Sequence, residues 1–138
     1  MNISARIRNA VRLMICLAVN YPGAHISLRK ISEFTSVSVK YLEQIIPELR
    51  EAGIISSVQG KMGGYRLGRD PDHISLFDIY SAYSRTVLLS GIDDEGSVLD
   101  SIAWNKIDGV VKAEMEKTSL GVIKKRFLDT RGFMNYVI

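Results

Sequence analysis

The sequence predicts a mainly α chain carrying one small β-hairpin, on three observations. Apolar residues recur at helical spacing at Leu28, Ile31 and Phe34, and again at Val39, Leu42, Ile45/Ile46 and Leu49. Only the small polar run Thr35-Ser36-Val37-Ser38, suited to a turn and an N-cap, separates the two series. Directly after them, the β-prone runs Ile54–Val58 and Tyr65–Leu67 flank the glycine-rich, basic tip Gly60-Lys61-Met62-Gly63-Gly64. Helix, tight turn, helix and basic hairpin add up to a winged helix-turn-helix domain. A long helical stripe nearer the other end adds a helix suited to dimerisation.

The elements follow in order. Residues 3–20 are expected as a helix with Ser4 as N-cap and an apolar stripe of Ile7, Ala10/Val11, Met14 and Leu17/Ala18. Tyr21-Pro22-Gly23 ends it, and residues 24–27 read as a brief strand. In the second helix of the pair, Pro47 removes the backbone donor to the Glu43 carbonyl and predicts a kink or a division there. Gly53 is placed as its C′ residue. After a loop at 68–72, Ser75 and Asp78 have the spacing of a capping box for a helix over about 75–86. The acidic run at 90–97, SGIDDEGS, reads as a loop. A helix then spans about 97–117, with Leu99, Ala103, Trp104, Ile107, Val110, Val111 and Met115 as its apolar face. Two readings of that face are open, burial against a second subunit or packing on its own domain. A short last helix from Leu120 to Leu128 and an apolar tail at 133–138, read as an edge strand, complete the chain.

Composition narrows the function classes. With 138 residues the chain fits one domain, or one domain plus an appended element, and 46% hydrophobic residues allow a real core. The net charge is +3, but residues 1–70 hold ten basic against five acidic side chains and residues 71–138 eight against ten. The positive charge therefore accompanies the helix pair, where phosphate neutralisation would need it. Arg12 interrupts the apolar N-terminal stretch, and no window approaches the roughly 18 uninterrupted apolar residues of a membrane span. The single cysteine, Cys16, excludes an intramolecular disulfide and suits a reducing compartment, so a cytoplasmic protein is expected.

No residue set points to catalysis. His25 and His73 lack companions at metal-ligand spacing. Gly60-Lys61 resembles the end of a phosphate loop, but Met62 replaces the Ser/Thr and the preceding glycine, Gly53, is misplaced. Cys16 lies off the apolar stripe, one turn from Arg12, which would lower a thiol pKa. It is therefore read either as a redox site or as an inert, partly buried thiol.

The pattern instead suits a duplex. Opposite its apolar stripe the second helix carries Lys40, Tyr41, Glu43, Gln44 and Glu48, able to reach base edges and phosphates. Ser4, Arg6 and Arg8 at the start of the first helix are read as DNA contacts, with plain solvent-facing arginines as the other reading of Arg6 and Arg8.

Across Ser38–Leu67 the chain resembles the Rrf2 family of bacterial winged-helix regulators. The matching residues are Tyr41-Leu42-Glu43-Gln44, then Leu49-Arg50-x-Ala52-Gly53-Ile54, then Ser57-Val58-x-Gly60-x-x-Gly63-Gly64-Tyr65-x-Leu67. Weaker matches at Ile3-Ser4, Met14–Ala18, Ile74-Ser75 and Asp78-Ile79 extend it over most of the chain. The resemblance implies a homodimer, joined through the helix near 97–117, on a palindromic operator. By position it puts base-reading residues at Ser38, Lys40, Tyr41, Glu43 and Gln44, and the wing contacts at Gln59, Gly60 and Lys61. Gln59 stands where the family often has an arginine entering the minor groove, and Lys61-Met62 replace a Pro-Gly type tip. Members that bind an iron–sulfur cluster carry three cysteines in the loop before the long helix; residues 90–97 have none. No cofactor is therefore expected, and the apolar ending is similar to that of the CymR-type branch, controlled through a protein partner.

The expectation is thus a DNA-binding transcriptional regulator, a homodimeric repressor without an iron–sulfur cluster. Residues 1–86 would form the DNA-binding domain, and 87–138 the acidic loop, dimerisation helix and tail. Double-stranded DNA, a second copy, and a regulatory protein or small-molecule effector are the expected partners; a membrane is not. The rival reading is a protein-interaction adaptor that keeps the fold without reading DNA, which Gln59 favours.

Overall fold

The computed structural model describes residues 3–84 and 98–135. Six helices and one hairpin follow in the order α1 (Ala5–Asn20), α2 (Leu28–Thr35), α3 (Val39–Glu51), β1 (Ile55–Val58), β2 (Gly64–Leu67), α4 (Leu76–Ser81), α5 (Val98–Lys117) and α6 (Leu120–Asn135). A short 3₁₀ turn, Pro71–His73, precedes α4. The acidic loop at 90–97 and the end of the tail, 136–138, lie outside the described residues. The helix expected over about 75–86 stops short at Ser81, with residues 82–84 non-helical and 85–86 outside the described residues.

Helix α1 begins at the Ser4 hydroxyl, which accepts the Ile7 N–H at 3.2 Å. It packs against α2, α3, α4, α6 and β2, so more than one of its faces is covered. Ala10, Leu13, Met14, Leu17 and Ala18 form a core with Ile31 of α2 and Leu42, Ile45, Ile46 and Leu49 of α3. Burying each such aliphatic side chain stabilises the fold by about 1.5–3 kcal/mol. Cys16 belongs to this same core, because the face it occupies is covered too.

The link between α2 and α3 is fixed by its own small side chains. Thr35 Oγ1 donates to the Ile31 carbonyl at 2.7 Å and accepts the Val37 N–H at 3.3 Å, while Ser32 Oγ donates to the Val37 carbonyl at 2.6 Å. Ser36 takes the left-handed conformation, and Val37 plugs the core. Helix α3 then runs unbroken through Pro47, correcting the expectation that the proline would divide it. Its closing turn is a Schellman motif: Gly53, at φ +76°, donates to the Arg50 carbonyl at 2.9 Å, and Ile54 donates to the Leu49 carbonyl at 3.2 Å.

Strands β1 and β2 are antiparallel, with Ile55 opposite Leu67 and Val58 opposite Gly64. The predicted strand at 24–27 is one bridge, in which Ile26 and Tyr65 exchange N–H···O bonds of 2.8 Å. Gly64 is needed there: at φ +149° a Cβ would overlap the Ile26 carbonyl oxygen.

Helix α4 opens with the predicted capping box: Asp78 N–H donates to Ser75 Oγ at 3.0 Å, and Ser75 N–H donates to Asp78 Oδ2 at 2.8 Å. Backbone bonds from Leu76 to Thr118 (2.8 Å) and from Leu120 to Ile74 (2.7 Å) fasten the α5–α6 junction beside it. Leu120 is fully buried. Helix α6 continues through Phe133 and Met134 to Asn135, replacing both the short helix ending at Leu128 and the strand expected from 133. Between 120 and 135 there is no proline; Gly121 lies in the first turn, and Gly132 within the run costs a helix only about 1 kcal/mol.

Candidate nucleic-acid interface

Helix α3 divides its residues cleanly. Leu42, Ile45, Ile46 and Leu49 are buried, while Lys40, Glu43, Gln44, Pro47 and Glu51 form an exposed stripe at helical spacing. Ser38 caps the helix, its Oγ accepting the Tyr41 N–H at 3.1 Å, which leaves its own O–H able to donate to an anion. The positive end of the helix dipole lies at this cap, beside Lys40. Tyr41 is only half exposed and packs on the core, so of the five α3 positions it offers the least free surface.

The Schellman turn sends the chain straight from α3 into the hairpin. At its tip Gln59, Gly60 and Lys61 are exposed, and Met62 is 91% exposed. A groove of about 500 Å³ runs between this wing and the start of α2, lined by Ser27, Leu28, Arg50, Gln59, Gly60 and Tyr65 among others. The sequence names Arg50 only as a match to the family pattern; the hairpin's return beside it reveals that it shares a groove with the wing.

Ser4 caps α1 as expected, its Oγ accepting the Ile7 N–H. The Arg6 guanidinium lies 2.7 Å from a Glu48 carboxylate oxygen, donates to the Gln44 carbonyl at 3.4 Å and sits 5.4 Å from the centre of the Tyr83 ring. It therefore points to α3, and its reading as a phosphate contact is corrected. Arg8 remains exposed. Tyr83, just past α4, donates its hydroxyl to the Ile45 carbonyl of α3, a role no sequence pattern announces. Burial, with the Glu48 carboxylate adding to it, pushes its phenol pKa up, so the donor keeps its proton.

Cys16 is not poised for redox chemistry. It is 4% exposed, and burial raises its pKa from 9.0 to about 11, outweighing any influence of Arg12. No group of three or more His, Cys, Asp or Glu side chains able to hold a metal occurs among the described residues. No described helix is long and apolar enough to cross a membrane.

Helix α5 carries apolar residues on two arcs among its charged ones, and the structure sorts the two. Met115 is buried with Ile7 and Tyr80, and Val111 packs beside them, which corrects their assignment to a contact with a second copy. Leu99, Ala103, Trp104, Ile107 and Val110 are exposed, and Val98 and Ile102, not singled out in the sequence, join them at 74% and 77% exposure.

A family profile described as "Rrf2: Iron-dependent Transcriptional regulator" matches residues 3–126. The chain belongs to the Rrf2 family. It is 32% identical to the HTH-type transcriptional regulator CymR of Bacillus subtilis over 120 residues, covering 87% of each chain. It is also 32% identical to the HTH-type transcriptional regulator IscR of Aliivibrio salmonicida over 127 residues, 88% of this chain and 76% of that one. Among solved structures, B. subtilis CymR superposes with a TM-score of 0.79 at 29% identity, over 91% of this chain and 98% of that one. The T. potens IscR structure gives 0.76 at 30% identity, over 91% and 88%. This Rrf2 chain is thus a DNA-binding transcriptional regulator with a winged helix-turn-helix fold. The iron in the family's description meets a poor donor set here. A cluster held by thiolates needs several cysteines, and this sequence has one, buried in the α1 core.

Proposed function

We propose that this Rrf2 protein is a homodimeric repressor that reads a palindromic operator without an iron–sulfur cluster. The exposed α3 stripe of Lys40, Glu43 and Gln44, followed at once by a lysine-tipped wing, is the observation that carries the reading. The N-terminal half of α3 enters the major groove. Glu43 accepts from a cytosine amino group and Gln44 pairs with an adenine. Ser38, Lys40 and Tyr41 hold phosphates, and Gln59, Gly60 and Lys61 lie along the backbone or minor groove. Arg8 is a further backbone contact. Residues 1–86 form the DNA-binding unit, and 87–138 join two copies through the exposed arc of α5. An apolar arc this continuous on a surface helix marks an interaction site. The protein works where DNA is, in the cytoplasm, under a protein partner or a small effector.

A mobility-shift titration against genomic fragments at two salt concentrations tests this. Selective retardation of some fragments, weakening steeply with salt, is expected. Equal, weak retardation of all fragments would favour the adaptor reading, which Gln59 at the wing supports.

A further inference from the structure

Between α1, α4 and α5 lies a cavity of about 310 Å³, lined by no residue of α3 or of the wing. Its walls include Ile7, Val11, Tyr80 and Met115, and the exposed side chains of Arg8 and Arg12 line it from one side of α1. That volume is within the range of small-molecule sites, near its lower end. Four residues apart on one helix, the two guanidiniums are neighbours that repel each other. Among the described residues neither forms an ion pair; the arginines that do are Arg6, Arg29 and Arg69. Two unmatched cations beside an apolar pocket are complementary to one kind of molecule, an anionic head on a compact apolar body.

We propose that this cavity binds a small carboxylic acid, its carboxylate held by Arg8 and Arg12 and its body against Ile7, Val11, Tyr80 and Met115. The site rests on the DNA-binding reading for its consequence. Ile7 follows Arg6, and Tyr80 precedes Tyr83 by one turn, so both side chains that hold α3 are anchored on the cavity's walls. An acid that binds one setting of those walls better than another shifts the position of α3 and with it operator affinity.

The test uses the purified full chain and 3-phenylpropionate as probe, with its uncharged amide as control. Calorimetry without DNA is read first, so that a failure of DNA binding cannot be mistaken for a failure of the site. Saturable binding of the acid is expected, weakened about tenfold or more in the amide and in the Arg8→Gln/Arg12→Gln double variant. Val11→Phe, which fills the cavity, abolishes it while circular dichroism reports a folded chain. Acid and amide binding alike, undiminished binding in either variant, or no saturation by about 10 mM overturns the site. A Val11→Cys thiol that cross-links efficiently to a second copy also overturns it, because the cavity is then an interface. Mobility shifts with and without the acid test the consequence, and unchanged operator affinity at saturating acid overturns the coupling to α3.

Discussion

Arg6 meets Glu48 at 2.7 Å, tying the first turn of α1 to the C-terminal half of α3 one residue past Pro47. The proline leaves the Glu43 carbonyl without its helical donor, yet the two carbonyls that follow each gain a side-chain donor from outside. Arg6 reaches Gln44 and Tyr83 reaches Ile45. Leu42, Ile45, Ile46 and Leu49 are all buried, so packing holds the helix on both sides of the proline. The helix stays whole for these tertiary reasons.

Arg6→Ala is expected to lower unfolding stability by under about 1 kcal/mol, because the pair is half exposed and partly screened. Urea titration of the single and double variants with Glu48→Ala measures the coupling. Since Arg6 faces α3, the salt slope of DNA binding stays unchanged; a slope lowered by about one would return Arg6 to the phosphates.

Tyr83→Phe removes the donor to Ile45 and is expected to cost about 0.5–1.5 kcal/mol. The same variant loosens α3 and weakens specific DNA binding more than its stability loss explains. Urea unfolding and mobility shifts on the same preparation check both.

Glu43→Ala is expected to relax preference at one base pair per half-site, at about 1–3 kcal/mol of discrimination. Lys61→Ala should weaken all sequences alike and reduce the salt slope by about one. Titrations against single-base operator variants separate the two; equal losses on specific and random DNA for Glu43→Ala refute its base-reading role.

Cys16 should resist alkylation in the folded protein, its labelling rate following unfolding instead of thiol chemistry. The folded pKa of about 11 lies above the ordinary thiol value of 9.0, so the unfolded thiol ionises first as pH rises. Its contribution to stability is complete below about pH 9 and is lost between that pH and 11. Denaturation midpoints of wild type and Cys16→Ala across that window give the check: the difference should narrow with pH.

Ile102→Glu should leave the fold intact, because Ile102 is 77% exposed, and should convert the proposed dimer to monomer. Sedimentation velocity reads this directly. Met115→Glu, by contrast, should unfold the domain by placing a charge between Ile7 and Tyr80.

Much of the binding surface was legible because it is local. The Thr35–Ser38 turn, the Gly53 terminus, the capping box of Ser75 and Asp78 and the glycine-rich wing each follow from a few adjacent residues. The α3 stripe follows from periodicity. What misled were residues whose fate depends on distant neighbours. Arg6 was open between a phosphate contact and a solvent-facing arginine until Glu48 paired with it, and Cys16 between a redox site and a buried thiol until more than one face of α1 was covered.

The sequence by itself determined where the first five helices lie and which side of each is apolar, since propensity, capping and periodicity act within a few residues; it missed the extension of α6 past Leu128. It could not divide the apolar residues of α5 between its own domain and the outside. Tertiary structure decided that Met115 and Val111 turn inward while Leu99, Ile102 and Val110 turn out. It also decided that α3 passes through Pro47 whole. The physical reason is common to both: burial depends on what the rest of the chain brings alongside, and a helix wheel contains no record of its neighbours.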